Sequence, residues 1–138
     1  MAAEQPNCIF CKISAGEIPC EKLFEDRDVL AFLDINPIHY GHALVIPKKH
    51  SENLLEMDDE TLNKTMVVLK KVAAAVEKAT NSHGLNIGIN VRPAAGQVVM
   101  HSHFHIIPRY SDDGLRPWQR KVSDNKLQEY GEKIRNLL

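Results

Sequence analysis

The chain has no long hydrophobic run, no excess of charge of either sign and few cysteines, and each scarcity removes a class of protein. No segment approaches the roughly 18 or more uninterrupted apolar residues of a membrane span, so no membrane association is expected. Seventeen Lys and Arg stand against 18 Asp and Glu, a formal net charge of -1. There is thus no basic field to draw in nucleic acid and no acidic tail, and no nucleic acid partner is expected. Three cysteines are an odd number and too few for a disulfide framework. Glu4 and Gln5 lie in an amino terminus with no apolar run, unlike a secretory signal. A reducing, cytoplasmic location is the expectation. Glycine and proline are scattered, with no repeat or low-complexity tract. What remains is a chain of 138 residues, 43% hydrophobic, enough for one core without covalent staples.

Histidine is where the chain is rich. His101, His103 and His105 alternate in Met100-His101-Ser102-His103-Phe104-His105-Ile106-Ile107-Pro108. In an extended strand such spacing puts all three imidazoles on one face and Met100, Ser102, Phe104 and Ile106 on the other. Imidazole serves near neutrality as nucleophile, acid, base or metal ligand, so the row concentrates that chemistry in one place. Burying three such groups without partners is costly, which weighs against a purely structural row. Isolated His39 and His83 read instead as surface or satisfied core residues.

The remaining pattern predicts an α+β fold. Lys22 to Glu25 and Val29 to Leu33 read as a hairpin, with turn-forming carboxylates between them. Asp34 to Pro37 reads as a loop, and Gly41 to Ile46 as a buried strand stopped by Pro47. Asp58 and Asp59 can cap one long helix whose apolar stripe is Leu62, Met66, Leu69, Ala73 and Val76, with Gly84 ending it. Lys70, Lys71 and Lys78 suit its solvated faces. Leu85 to Val91 and Val98 to Ile107 read as two more strands joined by a turn at Arg92 to Gly96. This order implies a five-stranded antiparallel sheet packed on one long helix. Beyond Pro108, the spacing of Trp118, Leu127, Tyr130, Ile134 and Leu137 predicts a short amphipathic carboxy-terminal helix.

Cys8 and Cys11 form a Cys-x-x-Cys pair, a spacing shared by metal grips, redox pairs and buried thiols. For a tetrahedral ion two further ligands are needed, and His50 and His101 are the natural candidates. Such a Cys2His2 set is closed, hence structural, and withdraws His101 from acid catalysis. Cys20 has no partner in sequence and reads as a reduced thiol.

His101-Ser102-His103-Phe104-His105-Ile106-Ile107 resembles the signature of the histidine triad (HIT) superfamily, with Gly96-Gln97 similar to its lead-in. Ile9-Phe10-Cys11-Lys12-Ile13, Gly16-Glu17-Ile18-Pro19, Phe24-Glu25-Asp26, Ala31 to Pro37 and Gly41 to His50 are similar, in the same order, to the Hint-like branch. The resemblance covers residues 8 to 110 as the core of a single domain over residues 1 to 138, with residues 111 to 138 as an extension. It implies a nucleotide hydrolase or transferase acting at the α-phosphorus of purine nucleotide conjugates, such as an adenosine phosphoramidate, an acyl adenylate or a dinucleoside polyphosphate. By the resemblance His103 is the nucleophile and forms a nucleotidyl-histidine; displacement at phosphorus also asks for donors to the non-bridging oxygens, which on the same face His105 can supply, a role His101 shares if it is not committed to metal. The resemblance also has His42 supporting the triad, Asp34 and Asn36 meeting ribose hydroxyls, Asn90 and Gln97 donating to phosphate, and Ile9, Phe10, Ile13 and Phe32 walling the base. Val98 departs from the serine common after the glutamine, which bears on leaving-group departure. Cys8, Cys11, His50 and His101 resemble the zinc set of metal-bearing microbial members, and a homodimer paired through the long helix and a sheet edge is implied. The other reading is a nucleotide-binding or zinc-dependent interaction module whose turnover is incidental.

Overall fold

The computed structural model of the protein describes residues 3–114 and 121–138. Trp118 lies outside the described residues. The described chain runs α1 (Ile9–Ser14), β1 (Lys22–Glu25), β2 (Val29–Leu33), β3 (Ala43–Pro47), a 3-10 turn at Leu54–Glu56, α2 (Asp59–Thr80), β4 (Gly84–Gly88), a 3-10 turn at Pro93–Ala95, β5 (Phe104–Arg109) and α3 (Leu127–Arg135). The strands form one antiparallel sheet in the order β1-β2-β3-β5-β4. This is the α+β arrangement expected from the sequence.

Local chemistry accounts for the main elements. Asp26 turns the first hairpin: its Oδ1 accepts from the backbone N–H groups of Asp28 and Val29, both at 2.8 Å. Asp58 caps α2, accepting from the Thr61 N–H at 2.8 Å. The helix ends at Asn81, whose φ of 51° is left-handed. Gly84 therefore does not end the helix, as the sequence suggested, but opens β4 three residues later.

Strand alternation divides the apolar residues between two faces of the sheet. Val29, Ala31, Ala43, Val45, Phe104 and Ile106 pack with Val68, Leu69, Val72, Ala73 and Val76 of α2. Leu30, Phe32, Leu44 and Ile46 point the other way, onto Phe10 of α1. His105 is paired with Leu44, and so emerges on this second face. No helix among the described residues is long and apolar enough to cross a membrane.

Two expected strands are shorter than their patterns. Only Gly84–Gly88 pairs, not Leu85 to Val91, and β5 starts at Phe104 rather than Val98. The histidines are thus not a row on one strand: His105 lies in β5, while His101 and His103 lie in the irregular segment ahead of it. The reason is a side attachment. Ser102 donates its N–H to the Ser51 carbonyl at 2.8 Å and shares a 2.8 Å hydroxyl contact with Ser51, diverting the backbone from the ladder. The Cys-x-x-Cys segment enters a helix, α1, which the Cys8 sulfur caps by accepting from the Cys11 N–H at 3.4 Å.

The β4–β5 connection also stores strain. Arg92 has φ 73° and ψ 156°, a region that glycine alone occupies readily. Such a conformation costs about 1–3 kcal/mol, partly offset in a glycine variant by about 0.5–1 kcal/mol of added freedom in the unfolded chain. Arg92→Gly is expected to stabilise the protein by about 1 kcal/mol, raising Tm by a few degrees in calorimetry. An unchanged or lower Tm would show that the arginine side chain compensates the strain.

Candidate active site and metal cluster

Two groups of polar side chains meet at the second sheet face, and His101 belongs to both. Its buried ring donates Nε2–H to the Pro47 carbonyl at 2.8 Å. With the proton held there, Nδ1 presents a lone pair, which lies 3.4 Å from Cys8 Sγ, 3.5 Å from Cys11 Sγ and 3.2 Å from His50 Nδ1. Cys11 Sγ is in turn 3.4 Å from His50 Nδ1. A tetrahedral zinc ion with ordinary bond lengths requires sulfur–nitrogen edges of about 3.6 Å and nitrogen–nitrogen edges of about 3.3 Å. The four donors fit that figure, and all their ligand atoms lie within 4.8 Å of one another.

The chemistry of the set points the same way. Burial pushes the Cys11 thiol up to about 11 and the His101 imidazole down to about 4. The His101 lone pair and the two sulfurs converge on one point, and a divalent cation there favours both thiolates. These residues can therefore hold a metal.

The second group is a chain of hydrogen bonds with fixed direction. His103 donates Nδ1–H to the His101 carbonyl at 2.6 Å, which leaves its Nε2 as a lone pair. Burial lowers its proton affinity, so the ring is neutral. His42 accepts the Ile38 N–H on Nδ1 at 3.1 Å, so its proton is on Nε2, which faces His105 Nδ1 at 2.9 Å. His105 consequently carries its own proton on Nε2. Asp34 Oδ2 lies 3.6 Å from His42 Nε2. Asp34, His42 and His105 also cluster closely enough for a metal, but here an N–H donor on His42 already faces an acceptor on His105. The His103 and His105 rings are 5.1 Å apart at their centroids. The arrangement offers one nucleophilic nitrogen beside one N–H donor.

Burial also pushes His105 down to about 4 and lowers His42, with Asp34 pulling the other way on both. An unfolded imidazole titrates near about 6.5. Between these values the unfolded chain binds a proton that folded His105 refuses, so stability is complete above about 6.5 and falls as pH drops towards 4. The acid-side decline of Tm is expected to be shallower in His105→Asn than in the parent protein. Parallel profiles would remove His105 from the acid response.

The other expected site residues divide. Phe10 and Phe32 are buried in the core beneath the site, with Phe10 meeting the His103 ring edge-on at 5.0 Å. Ile13 is partly buried against that cluster, whereas Ile9 is exposed. Asp34 Oδ1 accepts the Asn36 N–H at 2.9 Å, placing both residues in one turn beside His42. Asn90 reaches the Gly96 carbonyl at 3.4 Å. Gln97 is held by the protein's own backbone: its amide hydrogens go to the Glu52 carbonyl at 2.6 Å and the Val99 carbonyl at 3.0 Å, and its oxygen accepts the Arg92 N–H at 2.7 Å. Buried and fully engaged, it braces the loop ahead of the histidines. Val98 beside it is exposed.

Sequence reasoning missed the Pro47 carbonyl, the Ile38 N–H and the Ser51–Ser102 contact. The first two act through the backbone, which side-chain identity does not display. The His39 and His83 rings instead both flank the Tyr110 ring.

The HIT domain family model matches residues 15–112. The chain belongs to the HIT family. It is 50% identical over 111 residues to an uncharacterized HIT-like protein of Borreliella burgdorferi, covering 79% of this chain and 80% of that relative. It is 41% identical over 131 residues to adenosine 5'-monophosphoramidase hnt1 of Schizosaccharomyces pombe, covering 93% and 96%. Among solved structures it is similar to SMU.412c of Streptococcus mutans, with a TM-score of 0.90 and 41% identity over 99% of this chain and 88% of that one. A Zn-bound histidine triad family protein of Mycobacterium smegmatis superposes with a TM-score of 0.76 at 33% identity, covering 96% and 98%.

Proposed function

We propose that the protein hydrolyses or transfers at the α-phosphorus of purine nucleotide conjugates, in the manner of a phosphoramidase, through a nucleotidyl-His103 intermediate. The observation that carries this reading is the 2.6 Å bond from His103 Nδ1 to the His101 carbonyl, which leaves a neutral, lone-pair Nε2 beside the His105 donor. A relative named adenosine 5'-monophosphoramidase, 41% identical, supports the substrate class.

In the first step His103 Nε2 attacks phosphorus. The N–P bond forms as the bond to the leaving group breaks, and the leaving group departs with the electron pair and takes a proton from solvent. In the second, water attacks the same phosphorus, the N–P bond breaks, its electron pair returns to Nε2, and the proton of water goes to solvent. His105 Nε2–H hydrogen-bonds a non-bridging oxygen in both steps, where charge accumulates. Asp34 and Asn36 receive the ribose, Asn90 borders the phosphates, and Ile9, Ile13, Phe10 and Phe32 form the apolar ground beneath the base.

The cysteine cluster, on the same reading, holds zinc through Cys8, Cys11, His50 and His101. Four protein ligands leave no position for water, so zinc there supplies rigidity rather than a nucleophile. His101 is then a ligand and not an acid. The reading includes a two-fold dimer through α2 and the edge strand β4, supported by the exposed Val67 and Ile87 on those elements. It also includes a reducing, cytoplasmic setting, supported by three free cysteines.

Stereochemistry tests the two-step course. Hydrolysis of a P-chiral adenosine phosphorothioate conjugate is expected to proceed with net retention at phosphorus, because two in-line displacements invert twice. Net inversion would mean that water attacks directly.

A further inference from the structure

We propose that Asp34 is a positioning residue for His105: its carboxylate, beside His42 Nε2, holds the His42 proton on the nitrogen that faces His105, and so keeps His105 presenting N–H to the phosphorus centre. This rests on the reading of His103 and His105 above, and it gives Asp34 work beyond meeting a sugar.

The placement is built by the loop between β2 and β3. Asp34 donates its N–H to the His42 carbonyl at 2.9 Å, His42 donates its N–H to the His39 carbonyl at 3.0 Å, and the Ile38 N–H reaches the His42 ring at 3.1 Å. The loop thus closes on the His42 ring and carries the Asp34 carboxylate with it. One carboxylate oxygen is occupied by the Asn36 N–H, while the other stands 3.6 Å from His42 Nε2. That distance is too long for a hydrogen bond but short enough for strong electrostatic attraction where His42 is almost wholly buried.

A pair of hydrogen-bonded neutral imidazoles has two arrangements, with the shared proton on either ring. A negative charge beside His42 Nε2 attracts a proton there and repels a lone pair, and the Ile38 N–H at the other ring nitrogen requires a lone pair on that side. Both ends of His42 therefore select the same arrangement. His105 Nδ1 must accept, and its proton must sit on Nε2. Without the carboxylate the selection rests on a single backbone N–H.

A substrate without ribose hydroxyls separates this role from sugar binding. On metal-replete protein, Asp34→Asn is compared with the parent using adenosine 5'-phosphoramidate and its 2',3'-dideoxy analogue. The substituted side-chain amide retains an oxygen for the Asn36 N–H, so the turn is preserved. The variant is expected to lose on the order of tenfold or more in kcat on the dideoxy substrate, with KM unchanged there. Equal kcat for the two proteins on the dideoxy substrate would overturn the proposal and leave Asp34 as a sugar contact, without touching the His103 mechanism. Failure of the parent protein to turn over either substrate would overturn the mechanism and this proposal with it. A measurement that needs no variant is ring nitrogen NMR of the parent protein: His42 and His105 are both expected to be protonated on Nε2, and a proton on Nδ1 of His105 would overturn the assignment.

Discussion

His103→Ala is expected to lower kcat by about 10⁴-fold or more while leaving the affinity for a bound mononucleotide within a few-fold. The asymmetry follows from where the ring sits. On the proposed mechanism its Nε2 forms a bond that no neighbour can form in its place: His105 presents N–H at the corresponding position, and the His101 lone pair is directed at Cys8, Cys11 and His50. The contacts assigned to ribose and base, by contrast, belong to other residues. Turnover of an adenosine phosphoramidate together with calorimetric titration of AMP reads both quantities. Retention of turnover would assign the protein to the binding-module reading, in which the nucleotide is held and its hydrolysis is incidental. Loss of both turnover and affinity would point instead to a site that collapses without the ring, a result that circular dichroism and Tm distinguish.

Removal of the zinc proposed for the cysteine cluster is expected to have the second largest effect. Zinc bound well above its dissociation constant contributes about 3–4 kcal/mol at 100 to 1,000 times that constant. In a chain of this length its loss corresponds to a fall in Tm of about 10 °C or more. Cys11→Ala, or prolonged chelation of the parent protein, is therefore expected to give metal-free protein with that shift, measured by elemental analysis and calorimetry. Chemistry suffers too. The His101 ring lies in the cluster and the His101 carbonyl holds the His103 proton, so a loosened cluster loosens the tautomer of His103. A decline in kcat smaller than that of His103→Ala is expected. Protein that is purified free of metal and shows the same Tm as Cys11→Ala would show that the four donors assemble without an ion.

These two effects converge on one residue that the sequence alone assigns to two competing tasks. From sequence, His101 is either a metal ligand or a helper of catalysis. The geometry divides the residue instead, giving its ring to the cluster and its main chain to His103. That division was not legible because it depends on backbone direction. A row of alternate histidines implies a strand, yet Ser102 is drawn to Ser51 and the ladder begins only at Phe104. Alternation still placed His103 and His105 side by side, with their ring centroids 5.1 Å apart. The cysteine pair was legible for a simpler reason. Its spacing lets the Cys8 sulfur cap α1 and meet Cys11 on one turn, and the first turn of a helix is a local matter. The bracing contacts of Gln97 were not legible for the opposite reason: its partners Glu52 and Val99 come from a loop contact and a local kink that no periodicity encodes. The hairpin of β1 and β2 and the long helix carried their own punctuation in Asp26 and Asp58, and both elements lie where that punctuation set them.

The most direct measurement is the mass of the protein itself during turnover. Metal-replete protein mixed with adenosine 5'-phosphoramidate and quenched in base, where phosphohistidine survives, is expected to gain the mass of one adenylyl group. Peptide mapping should place the added mass on His103. An adduct on any other residue, or active protein that never carries one under rapid quench, would contradict attack by the His103 ring.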